Sequence, residues 1–128
     1  MTKLIALLGI TLLAGVAAQA QGHWQFLGES HVDGMADHDR IVITAAKGEY
    51  RAIQIKVERG PIEFHHVVVH FGNGSSETLQ IRQHIPAGGE TRVIELPGNH
   101  RIIESVEFWY AKANWHEDRP MVRLWGRH

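Results

Sequence analysis

Apolar and polar residues alternate along most of this chain with a period of two. In Tyr50–Glu58, Ile53, Ile55 and Val57 fall on one face, and Gln54, Lys56 and Glu58 fall on the other. That pattern predicts a half-buried strand of an antiparallel sheet. Glu63–Phe71 is denser in β-branched and aromatic residues. His65, Val67, Val69 and Phe71 share one face there, and Phe64, His66, Val68 and His70 share the other. Two semi-apolar faces predict a strand in the middle of a sheet, and Gly72-Asn73-Gly74 supplies the turn that ends it.

Shorter runs of the same kind predict strands at Trp24–Val32, Arg40–Ala45, Thr78–Gln83, Thr91–Leu96, Arg101–Lys112 and Pro120–Arg127, bounded by Gly, Pro or Asn. In Arg101–Lys112 the inward residues are Ile103, then Val106, Phe108 and Tyr110. The gap between Ile103 and Val106 breaks strict alternation, and a β-bulge near Glu104-Ser105 restores the phase. No segment holds a helical period over ten or more residues, which would be about three turns. The expected fold is all-β: a single antiparallel β-sandwich of about eight strands, jelly-roll or immunoglobulin-like in character. A closed barrel is the alternative.

The first twenty residues break from this pattern. Lys3 is followed by an uncharged apolar run, Leu4–Ala18, and then by Ala18-Gln19-Ala20, a small-x-small cleavage pattern. The run is short for a membrane span, which needs about 20 apolar residues. Residues 1–20 therefore read as a signal peptide, 21–128 as the β-sandwich domain, and the mature protein as periplasmic or secreted, with no membrane span.

Composition narrows the function. The 128 residues contain no Cys, so no disulfide braces the fold and no thiol is available for catalysis. Thirteen Lys and Arg face 14 Asp and Glu, without a basic block, so nucleic acid is not an expected partner. Ser75-Ser76 lie outside any Gly-x-Ser-x-Gly elbow, and no Glu/His pair has a recognisable catalytic spacing. Asn73-Gly74-Ser75 matches a glycosylation sequon but coincides with a hairpin turn.

Leu27-Gly28, Asp37-x-Asp39-x-Ile41, Gly48-x-Tyr50-Arg51-x-Ile53, Arg101-x-Ile103-x-x-Val106-x-Phe108-x-Tyr110 and Leu124-Trp125-Gly126 together span the mature chain. With these motifs the chain resembles a group of small, uncharacterised exported bacterial proteins. The resemblance implies an exported β-sandwich and carries over no activity, cofactor or site residue.

Three residue groups carry candidate chemistry. Among the ten histidines, His65, His66 and His70 cluster most closely. On a regular strand His65 and His66 point oppositely, and His66 and His70 stand about 13 Å apart, which is unfavourable for one metal ion. The loop around Asp33, Asp37, His38 and Asp39 is the better candidate for calcium or zinc, although its spacing is not that of an EF-hand and aspartates also make turns.

The third group is an outward aromatic surface. Trp109 and Trp125 come together if the last two long strands pair, with Arg101, Glu107 and Arg123 flanking them. Flat aromatic area beside charged donors suits a sugar ring or a partner protein. The leading expectation is an exported, non-enzymatic binding or accessory module for a glycan or an envelope protein. A metal-dependent protein using loop 31–39 is the alternative.

Overall fold

The computed structural model describes residues 23–32, 38–43, 48–113 and 119–128. The segment 1–20 expected to be a signal peptide, Asp33 and Asp37, and the loop around Trp115 lie outside the described residues. Nine strands are described: β1 (Trp24–His31), β2 (His38–Val42), β3 (Ala52–Glu58), β4 (Ile62–Phe71), β5 (Ser76–Leu79), β6 (Gln83–Ile85), β7 (Ile94–Glu95), β8 (Ile103–Ala113) and β9 (Met121–Arg127). They form two antiparallel sheets. One runs β1-β9-β3-β7; the other runs β2-β8-β4-β5, with β6 also paired to β4. The fold is all-β and sandwich-like, and its two separate sheets replace the barrel alternative.

The alternating residues make the core. Ile53, Ile55 and Val57 of β3 and Leu124 of β9 face Val67 and Val69 of β4 and Val106 and Phe108 of β8, all fully buried. Each such side chain stabilises the fold by roughly 1.5–3 kcal/mol through removal from water. The slip anticipated in β8 is present. His70 pairs with Ser105 and Phe71 with Ile103, which leaves Glu104 as the extra residue.

A second bulge was not visible in the alternation. In β4 the pairing with β8 shifts between Phe64 and His66. Phe64 and Val67 both turn inward, while His65 is exposed and His66 is half-buried on the outer side. The expectation that His65 shares the face of Val67 and opposes His66 is thus corrected: a bulge inserts one residue and flips the phase. Nδ1 of one ring lies 2.7 Å from Nδ1 of the other. The bulge also divides the neighbouring strand. Thr78–Gln83, expected as one strand, is replaced by β5, paired to Val67–His70, and β6, paired to Ile62–Phe64.

Two glycines permit close approach. A Cβ on Gly126 would lie 2.7 Å from Tyr50 and 2.8 Å from Leu27, and one on Gly28 would lie 2.6 Å from Ile41. Gly28 and Gly126 belong to two of the motifs singled out above, and their role here is packing. The Asn73-Gly74-Ser75 segment is a turn: Gly74 has φ 89°, and Asn73 Oδ1 accepts from the backbone N–H of Ser75 at 3.0 Å.

Candidate functional site

Residues that alternate with the core must face outward, so the two sheets present two outer surfaces. On the five-stranded sheet, β8 runs between β2 and β4. Its outward residues Glu107 and Trp109 pair with Arg40 and His38 on one side and with Val68 and His66 on the other. Trp109 is held between two imidazoles. His38 stacks 5.0 Å from it at 17°, and His66 stacks 4.3 Å from it at 12°. The two rings come from strands on opposite sides of β8, so both faces of the indole are covered.

One rung away, Glu107 is only 9% exposed. Nε2 of His70 donates to Glu107 Oε1 at 2.6 Å, a guanidinium N–H of Arg40 donates to the same oxygen at 2.9 Å, and His38 Nε2 donates to Oε2 at 3.2 Å. Burial pushes this carboxyl upward, but the hydrogen bonds and charges of Arg40 and His70 outweigh that and hold it below the ordinary carboxylate value. An ionised, fully partnered carboxylate orients its neighbours. The alternation did not reveal this cluster, because His38 and His70 lie 69 and 37 residues from Glu107 in sequence.

The outer face of the four-stranded sheet has a different character. Trp24, Phe26 and Trp125 adjoin there. Phe26 meets Trp125 edge-on, centroids 5.5 Å apart at 65°. The Lys56 ammonium sits 5.2 Å over Trp125, and the Arg127 guanidinium sits 5.5 Å from the centre of Trp24. No described ring lies flat on Trp125, and Phe26 is 43% exposed. The surrounding charges compensate one another. Arg123 Nε lies 3.2 Å from Glu58 and 3.5 Å from Glu29, Arg127 is 2.8 Å from Glu95, and Lys56 is 4.0 Å from Glu90.

The structure therefore separates the residues expected to share one site. β8 and β9 belong to different sheets and do not pair. Trp109 with Glu107 and Trp125 with Arg123 consequently face away from each other. Arg101 belongs to neither surface. Its guanidinium lies 3.6 Å over the Phe71 ring and donates to Pro97 O and Ser75 Oγ, both at 3.0 Å. Of the metal candidates, His38 and Asp39 are described; as successive strand residues they point to opposite faces, with His38 engaged by Trp109 and Glu107. Among the described residues, no group of three or more His, Cys, Asp or Glu is placed to hold a metal ion. The metal reading has no support in the described part of the chain.

Comparison with solved structures bears on the fold. The structure of Pseudomonas aeruginosa AlgX matches with a TM-score of 0.55 and 15% identity, over 80% of this chain and 27% of that one. This chain thus spans about a quarter of AlgX, and at that identity the likeness is one of fold alone. A family 29 carbohydrate binding module, CBM29-2, solved with mannohexaose, matches with a TM-score of 0.42 and 5% identity over 83% of this chain and 92% of that one. The Drosophila NLP core matches with a TM-score of 0.36 and 16% identity over 83% of this chain and 98% of that one. Both likenesses are too distant to bear on function. No curated protein matches the sequence. A family model does match, over residues 5–126, and the chain belongs to that family, described as a domain of unknown function (DUF2541).

Proposed function

We propose that this protein is an exported, non-enzymatic binding module that holds a neutral glycan on the outer face of its four-stranded sheet. One observation carries the reading: Trp24, Phe26 and Trp125 share a sheet surface on which no described ring lies flat over Trp125. A sugar ring stacks its C–H face on an aromatic face once the flexible Lys56 side chain, whose ammonium sits 5.2 Å over Trp125, swings aside, and it takes hydrogen bonds from groups at the rim. Lys56, Arg123 and Arg127 provide those donors, and their carboxylate partners keep the surface near neutrality. An uncharged sugar therefore fits better than a charged one. Trp109 is a poor platform, because a ligand would first have to displace His38 or His66.

Export rests on Lys3, Leu4–Ala18 and Ala18-Gln19-Ala20. No helix among the described residues is long and apolar enough to cross a membrane. N-terminal sequencing of the protein from a periplasmic fraction checks this part, with a start near Gln21 expected.

The test of the site is affinity electrophoresis against a panel of neutral polysaccharides, with Trp125→Ala and Phe26→Ala beside the parent. A ligand found for the parent should bind each variant at least about tenfold more weakly, as expected for loss of a stacking anchor. Urea midpoints should stay close to the parent value. Unfolding of both variants would return these rings to the core, and undiminished binding by a folded variant would end the proposal. A protein partner on the same face would be lost in the variants but would not be displaced by free sugar.

A further inference from the structure

Strand β1 ends the four-stranded sheet, and among the described residues it has a partner strand on one side alone, β9. The other strands at sheet ends are blunted. β7 has two residues, β6 has three, β5 has four with Glu77 among them, and β2 has five with Arg40 among them. Short strands and charges are the usual guards of an edge. β1 runs for eight residues without Pro, Lys or Arg, and Phe26 is exposed on it. Its one carboxylate, Glu29, is already engaged by Arg123 and His31. We propose that a second copy of this chain pairs antiparallel with β1 and joins the two four-stranded sheets into one.

The bulge in β1 selects that occupant. His23 O accepts from the backbone N–H of His128, and the N–H of Val32 donates to Pro120 O, so both of these residues direct backbone groups at β9. Backbone direction alternates along a strand. Counted inward from His23, Trp24 and Phe26 direct their groups away from β9. Counted inward from Val32, His31 and Glu29 do so. Leu27 is the extra residue between the two halves, since Phe26 pairs with Trp125 and Gly28 with Leu124. The free groups thus fall at 24, 26, 29 and 31, with a step of three in the middle where a regular strand keeps steps of two. A regular strand matches one half of this edge and is out of phase with the other. A second β1 carries the same long step and matches both halves. Trp24 then meets the partner's His31, and Phe26 meets the partner's Glu29, with both pairs repeated by the two-fold axis. Gln25 faces the partner's Ser30, and no like charges oppose each other in this register.

Opposite residues of an antiparallel pair lie on the same face of the sheet. The aromatic outer face therefore continues across the junction. Phe26 and the partner's Phe26 stand three residues apart along the pair and one strand spacing across it, about 11 Å. With a Trp125 beside each, they form one row of aromatic rings, which fits a polysaccharide chain better than a single sugar. This last step rests on the neutral-glycan reading; the pairing itself does not.

The test begins without sugar, on the untagged full-length protein after export. Sedimentation equilibrium should show a monomer–dimer equilibrium. Glu29→Pro removes an N–H directed away from β9, so the sheet within one copy keeps its bonds while the junction loses one. Its dimer should dissociate at a concentration at least about tenfold higher, with the urea midpoint near that of the parent. In the parent, amide exchange at Trp24, Phe26, Glu29 and His31 should slow as protein concentration rises. A chain that stays monomeric overturns the proposal. So does a dimer whose formation leaves exchange at these four amides unchanged, or one that a folded Glu29→Pro leaves equally tight. For the shared platform, a long neutral polysaccharide should bind the parent at least about tenfold more tightly than a hexasaccharide of the same sugar, and Glu29→Pro should lose that preference. A preference kept by the monomeric variant overturns the shared platform. Dimerisation with no neutral polysaccharide bound removes the glycan reading alone and supports the pairing.

Discussion

Glu107 shows how much one residue depends on partners that its own neighbourhood in the chain does not announce. Its carboxylate is nearly buried, and its two oxygens receive His70, Arg40 and His38. Glu107→Gln keeps the shape but removes the charge that these donors were placed to meet. It should destabilise the fold by about 2 kcal/mol at neutral pH, read from urea midpoints. The pH dependence has a definite sign. The folded carboxyl titrates below its unfolded value of 4.5. Its contribution is therefore complete above that value and is lost as pH falls through the lower folded value. The difference between parent and variant should accordingly narrow in acid below about pH 4.5. A gap that stays constant into strong acid would show that the carboxylate charge contributes nothing. Glu107 was legible as an outward residue near Trp109; its burial and its three donors were not, since they come from two other strands.

At the scale of the element, bulges decide which residues reach which surface. The slip in β8 could be read directly, because two unmistakable inward residues, Ile103 and Val106, stand at an odd separation. The slip in β4 could not, because Phe64 and Val68 are both apolar and either phase gives a plausible buried face. Strand β1 carries a further irregularity, where its pairing to β9 shifts between Phe26 and Gly28. Across that pair, Gly126 allows Tyr50 and Leu27 to approach the backbone of β9. Gly126→Ala should destabilise the protein by about 2 kcal/mol, because a rigid methyl group would have to displace a fully buried Tyr50 ring. Thermal melting of the variant checks this; an unchanged midpoint would mean that the ring yields without cost.

For the molecule as a whole, the last strand organises the four-stranded sheet. β9 lies between β1 and β3 and pairs with both along its length. The sheet therefore joins the two ends of the described domain, and it cannot form until the chain from 121 onward is present. A chain stopped after Pro120 should show no cooperative urea transition, whereas removal of only His128 should leave one. Contacts this far apart in sequence also imply slower folding than a helical protein of the same length would show. The same topology sets the two outer faces back to back, so Trp109 and Trp125 cannot serve one ligand together.

Local alternation by itself determined most of the strands, the inward residues of β3 and β8, the turn at Asn73 and the all-β class, because side-chain direction in a strand follows from covalent geometry alone. It also determined that Trp109 and Trp125 face outward. Only the tertiary structure decided that they face outward on opposite sheets, since which strands pair depends on the packing of the whole core. It decided likewise that Trp109 is enclosed by two histidines while Trp125 lies beside Trp24 and Phe26. Those neighbours are set by strand order and by bulges, and period-two alternation carries neither.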